Sequence, residues 1–171
     1  MQRGFAALVA LLSLASPVAL GCKTEAEPGP EGGVPTAAPS PASTGKLRLT
    51  TAPGEGDVDA IVRSAQAKAM ADRRRVVVYV GASWCEPCQR FHHAAERGEL
   101  DATFPDVDLL GFDADHDAER LASAGYVSKL IPLFALPGPD GRASGKQVEG
   151  GIKGEGAVGF IAPRLEKMLA D

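Results

Sequence analysis

A chain of 171 residues suits one domain with appendages. Its formal charge of −4 and pI near 5.4 leave no basic face for nucleic acid, which excludes that class of partner. The first 45 residues lack the patterning of a domain, so the fold must come from residue 46 onward.

Met1-Gln2-Arg3 supplies a short positive start, and Phe5 to Leu20 is apolar apart from Ser13, Ser16 and Pro17. That length suits a secretory signal peptide and is too short and broken for a comfortable transmembrane helix. The stretch ends in Ala19-Leu20-Gly21-Cys22, which resembles the lipobox of bacterial lipoproteins, with Ala19 departing from the more usual leucine. The resemblance implies a lipoprotein signal peptide over residues 1–21 and a lipidated N-terminus at Cys22. An ordinary signal peptide that leaves Cys22 as a stray thiol is the alternative. Cysteine arithmetic supports lipidation, because three cysteines in an exported protein leave an odd one to explain. Residues 23 to 45 hold five prolines, four glycines and only Val34 as an aliphatic residue larger than alanine. Such a segment cannot bury enough apolar surface to offset its ordering entropy, so residues 22–45 are expected to form a disordered tether reaching about 70 Å.

The domain is expected over residues 46–171. Val58, Ile61, Val62, Ala65 and Ala69 follow helical spacing, with Asp57 available as N-cap. Arg73-Arg74-Arg75 reads as a solvated helix end, where cations suit the dipole. Val76 to Val80 is a β-branched run without alternation, the pattern of a central strand covered on both faces. A helix from Cys85 to about Arg97, a strand from Val107 to Phe112 and a short helix from Asp117 to Gly125 come next. That order implies parallel pairing of the two strands. Leu130 to Leu136 reads as a third strand and residues 137–141 as a turn into a weaker strand around Gln147-Val148-Glu149, together an antiparallel hairpin. Val158, Ile161, Leu165, Met168 and Leu169 give a C-terminal helix that Pro163 should kink or restart.

Within Gly81 to His93, Cys85 and Cys88 stand three apart. Such a pair can cycle between dithiol and disulfide, hold a metal, or staple a turn. Cys85 is expected at the start of a helix, where unpartnered N–H groups and partial positive charge favour a thiolate. Pro87 fits the first helical turn, where proline sacrifices no hydrogen bond. The i,i+3 spacing puts the two Cα atoms about 5 to 6 Å apart, within reach of a disulfide. As a staple alone, so short a loop would stabilise little. Cys85, Cys88, His92 and His93 are also residue types that zinc or copper accept, and Cys88 and His92 at i,i+4 can share a helix face. No second CxxC or distant histidine cluster completes that set, and His92 and His93 read as solvated helix residues. Asp113, Asp115, His116 and Asp117 read as capping a helix start rather than as a metal cluster. Glu86 sets a negative charge beside the thiols, which makes the Cys85 thiolate harder to form and favours reducing behaviour.

Ala82-Ser83-Trp84-Cys85-Glu86-Pro87-Cys88, with Ile131-Pro132 and the order of elements over residues 57 to 170, is similar to the thioredoxin superfamily. It especially resembles the exported, membrane-tethered reductases that serve cytochrome c maturation and the thioredoxin-like C-terminal domain of transmembrane electron carriers. The resemblance implies an α/β, thioredoxin-like three-layer fold, a mixed central β-sheet flanked by helices. It implies that Cys85, the more exposed thiol, attacks a substrate disulfide and that Cys88 resolves the mixed disulfide. Trp84 would shield the edge of the site. Ile131-Pro132 would be the family's cis-proline, offering the preceding backbone to an extended substrate. No cofactor is expected beyond the redox-active disulfide Cys85–Cys88. Two positions depart from the family: Tyr79 stands where many members carry a buried acid that helps deprotonate the second cysteine, and Gly111 lies near the place of its partnering lysine.

The expected function is thus a thiol-disulfide oxidoreductase, a reductase rather than an oxidase, acting on protein disulfides of the bacterial cell envelope. It would draw electrons from an upstream membrane donor and face the periplasm from an N-terminal lipid anchor. The alternative is a metal-handling thioredoxin-fold module that binds copper or zinc through Cys85, Cys88 and His92 or His93.

Overall fold

A computed structural model describes residues 45–171; the leader over 1–21, Cys22 and the tether as far as residue 44 lie outside the described residues. The elements in chain order are β1 (Arg48–Thr51), α1 (Val58–Ala71), β2 (Arg75–Gly81), α2 (Glu86–Glu96), β3 (Val107–Asp113), α3 (Ala118–Ser123), β4 (Leu133–Pro137), β5 (Ala143–Glu149) and α4 (Ala157–Ala170). They build one five-stranded sheet in the order β1-β3-β2-β4-β5. β1, β3 and β2 run parallel, while β4 pairs antiparallel with β2 and β5 antiparallel with β4. This is the mixed sheet of the thioredoxin-like fold.

The unalternating run of β2 is explained by two separate cores. Val77 and Tyr79 point into one, shared with Phe91 and Ala94 of α2 and Ile161 and Leu165 of α4. Val76, Val78 and Val80 point into the other, shared with Val58, Val62 and Ala69 of α1 and Leu121 of α3. Successive strand side chains face opposite ways, so a strand buried on both faces must be apolar at every position. Phe91, Phe104 and Phe134 are fully buried, each worth about 1.5–3 kcal/mol in area removed from water. No helix among the described residues is long and apolar enough to cross a membrane.

Several elements differ from the sequence reading. β1 was not expected, and it pairs Arg48 to Thr51 with Asp108 to Gly111 as an edge strand. Four residues, Arg-Leu-Thr-Thr, are too few for a periodic pattern to register. Arg74 is not part of a solvated helix end. Its guanidinium is buried, donates from Nε to Asp108 Oδ1 at 2.6 Å, and donates to the carbonyls of Lys46, Pro105 and Val107. Arg75, exposed like Arg73, donates to Leu169 O at 2.9 Å, which leaves Arg74 as the buried member of the triplet. β4 begins at Leu133 rather than Leu130, because the Lys129 and Leu130 amides bond the Glu149 carboxylate instead of a neighbouring strand. α4 continues through Pro163 as one uninterrupted helix. Asp57 occupies the N-cap of α1, although its side chain makes no capping hydrogen bond.

Candidate active site

β2 ends at Gly81, and a turn through Ala82, Ser83 and Trp84 delivers Cys85 to the N-cap of α2 with extended backbone, φ −83° and ψ 102°. The Cys85 amide donates to Ala82 O at 3.1 Å, which closes the turn. Cys85 Sγ accepts the Cys88 amide at 3.3 Å, so a sulfur fills the capping role that an oxygen usually takes. Pro87 lies in the first turn, where its missing N–H leaves no helical bond unmade. Gln89 Nε2 donates to Ser83 O and fastens the turn from the helix side. Cys85 and Cys88 form a disulfide with Cα atoms 5.2 Å apart, inside the range set by their spacing. Cys85 is the more exposed of the two, but only by 5% against 2%, so in this oxidised form both sulfurs are covered.

The Ile131–Pro132 peptide bond is cis, as the resemblance implies. The loop between β5 and α4 crosses the start of α2, where a Cβ on Gly151 would stand 2.8 Å from Pro87 Cβ, so the approach requires glycine. Leu130 packs against Gly150 in the same loop. Trp84, Leu130 and Ile152 remain 66%, 61% and 45% exposed, which leaves large apolar side chains at the surface of this end of the molecule.

Trp84 is held on its other side. Its indole Nε1 donates to Asp115 Oδ2 at 2.8 Å, a link the sequence reading did not anticipate. The loop that carries Asp115 is organised by its acidic neighbours: Asp113 Oδ1 accepts the amides of Asp115 and His116, and Asp117 Oδ2 accepts the Asp113 amide. Asp117 stands at the N-cap of α3, yet its carboxylate bonds the Asp113 amide and Arg120 rather than the helix amides. Among the described residues, no group of three or more histidine, cysteine, aspartate or glutamate side chains comes together where an ion could sit.

Glu86 does not face the sulfurs as an isolated charge. Its carboxylate accepts Arg90 Nε at 2.7 Å and the Gly154 amide at 3.0 Å, and Arg90 also reaches Glu155 at 2.6 Å. Arg90 first, then the Gly154 amide, holds its carboxyl below the usual glutamate range. The charge expected to burden the Cys85 thiolate is therefore largely offset by a guanidinium one helical turn away.

Tyr79 lies beneath the second cysteine. Its hydroxyl donates to Cys88 O at 3.4 Å, and a Cβ on Gly81 would stand 2.6 Å from the Tyr79 oxygen and 3.4 Å from Cys88 Cβ. Glycine at position 81 thus leaves room for the phenol beside Cys88. Burial pushes the Tyr79 phenol far above its ordinary range, so it stays protonated. Gly111 pairs with Tyr79 across β2 and β3, and its missing side chain leaves the ring flank open. A cleft of about 280 Å³ results, bounded by Tyr79, Gly81, Cys88, His92, His93 and Asp113 among others.

No family model matches the chain. No curated protein matches it either. Solved structures similar to it include thioredoxins. A thioredoxin f from spinach chloroplast is 23% identical over 75% of this chain and 88% of its own, with a TM-score of 0.44. A thioredoxin from Nicotiana alata is 19% identical over 77% and 96%, with a TM-score of 0.44. A poplar thioredoxin h is 20% identical over 74% and 95%, with a TM-score of 0.42.

Proposed function

We propose that the protein is a thiol-disulfide oxidoreductase that works as a reductase of protein disulfides in the bacterial cell envelope. The observation that carries the reading is the Cys85–Cys88 disulfide at the N-cap of α2, with Cys85 Sγ accepting the Cys88 amide. After reduction, that amide and the positive end of the helix favour Cys85 as thiolate. The thiolate attacks one sulfur of a client disulfide, the client S–S bond breaks, and a mixed disulfide forms. Cys88 then attacks Cys85, closes the internal disulfide and releases the client as a dithiol, so two electrons pass to the client. An upstream membrane donor restores the dithiol.

Trp84, Leu130 and Ile152 offer apolar contact to a client polypeptide, and by resemblance the backbone before Pro132 lies beside it. The reducing direction rests on the resemblance of Ala82 to Cys88 to exported reductases. The envelope location rests on the leader and the lipobox-like Cys22, and service to cytochrome c maturation rests on the Glu86-Pro87 dipeptide. The rival copper or zinc module has no specific observation in its favour: both thiols are engaged in the disulfide, and Nδ1 of His92 lies 3.3 Å from Glu96.

A redox titration against glutathione or dithiothreitol tests this directly, with the single tryptophan, Trp84, as reporter beside Cys85. A reversible two-electron transition below about −200 mV is expected, whereas a value near about −120 mV would mark an oxidant. Cys88→Ser should accumulate a mixed disulfide with a client, and an envelope extract that yields no trapped protein would count against the reading.

A further inference from the structure

The resolving step poses a question of proton transfer. Cys88 must lose its thiol proton before it can attack Cys85, and it is 2% exposed, so bulk water does not reach it freely. Tyr79, whose hydroxyl donates to the Cys88 carbonyl, stays protonated through burial and does not take up a proton. Glu86 is turned to Arg90 and Gly154. The remaining route is the cleft beside Tyr79, Gly81 and Cys88, whose volume of about 280 Å³ admits several water molecules.

Resting on the oxidoreductase reading above, we propose that His92 is the proton acceptor for Cys88, reached through water in this cleft. His92 lines the cleft together with Cys88 and stands one helical turn beyond it on α2, at i,i+4, where Cβ atoms are about 5–6 Å apart. Its side chain is partly covered, and Glu96 Oε1 lies 3.3 Å from Nδ1. A carboxylate at that nitrogen favours the tautomer with hydrogen on Nδ1, which leaves the Nε2 lone pair to accept a proton. The other titratable groups of the cleft are less suited. Asp113 on β3 has Oδ1 committed to the amides of Asp115 and His116, and His93, although it also borders the cleft, is exposed and lies five residues from Cys88, off the helix face that Cys88 and His92 share.

In this step the Cys88 S–H proton passes through water to Nε2 of His92. The sulfur electron pair forms the Cys85–Cys88 bond, the bond between Cys85 and the client sulfur breaks, and the client leaves as a thiolate. The imidazolium then returns its proton to solvent through the cleft. No further oxidant or reductant is required.

The test uses the reduced full chain carrying Cys22→Ser, so that only Cys85 and Cys88 react, mixed with dithiobis(nitrobenzoate). The reagent releases one coloured thiolate when Cys85 attacks and a second when Cys88 resolves, so the two steps are read separately. His92→Ala should slow the second release by about tenfold or more while leaving the first within about twofold, and added imidazole should restore it. His93→Ala should leave both releases unchanged. The proposal is overturned if His92→Ala leaves the second release at the parent rate, slows both alike, or slows it in a way imidazole does not relieve. It is equally overturned if His93→Ala produces the selective slowing. Absence of the first release in the parent protein would instead remove the oxidoreductase reading, and the proposal with it.

Discussion

At the residue scale, Glu86 shows how a side chain can be correctly noticed and wrongly weighed. Its place in the first turn of α2 is plain from the sequence, and a lone carboxylate there would oppose a thiolate. Arg90 and the Gly154 amide absorb most of that charge. Glu86→Gln should therefore raise the reduction potential, since a negative charge leaves and Arg90 is partly freed, but by less than the ~30 mV that a tenfold change in equilibrium represents. A redox titration of the variant checks the direction. The same substitution bears on acid stability. The folded-state carboxyl is held below the ordinary glutamate value, so its contribution is present above that ordinary value and lost as pH falls through the lowered one. Acid unfolding of Glu86→Gln should lack that part of the slope. Tyr79 and Gly111 are departures legible in the sequence, but the open flank they create together is not, because it depends on their pairing across β2 and β3.

At the element scale, the end of α1 contains an avoidable strain. The Arg73 amide bonds Met70 O and the Arg74 amide bonds Ala69 O, the paired pattern of a Schellman ending. The residue at its left-handed position is Arg73, φ 57°, where glycine is favoured. Arg73→Gly should stabilise the protein by about 1 kcal/mol, seen as a melting temperature about 3 °C higher. An unchanged or lower midpoint would show that the exposed arginine stabilises the fold in some other way. Next to it, Arg74 could not be replaced so freely, since it satisfies three backbone carbonyls and Asp108 at once. The two neighbours look alike in sequence and differ because the Schellman turn sends one outward and the next inward to the carbonyls of Lys46, Pro105 and Val107.

At the scale of the whole molecule, the parallel strands set the direction in which the site faces. β1, β3 and β2 run the same way, and Cys85 follows the C-terminal end of β2, whereas residues 45–47 enter at the N-terminal end of β1. Seven residues of β2 separate these ends by roughly 20 Å. The disulfide thus lies at the end of the sheet away from the point where the N-terminal segment joins the domain. On the proposed anchoring, Cys22→Ser should move the protein from the membrane fraction to the soluble fraction and leave its reduction potential unchanged. Retention in membranes would show that something other than a lipid at Cys22 holds it.

The local features of this protein were set by local pattern. The apolar run of β2 and the helical spacing of α1 lie within a few residues and are dictated by burial of one or both faces, the cysteine pair is read from its spacing at a helix start, and the cis-proline follows from the family resemblance. What the chain could not announce are contacts between segments far apart in sequence: Glu86 with Gly154, 68 positions on, Arg74 with Lys46, Trp84 with Asp115, and the cleft joining Tyr79 to His92. Periodicity tells which face of an element is covered, whereas the identity of the covering group exists only once the crossovers have closed and the sheet order has brought those segments together.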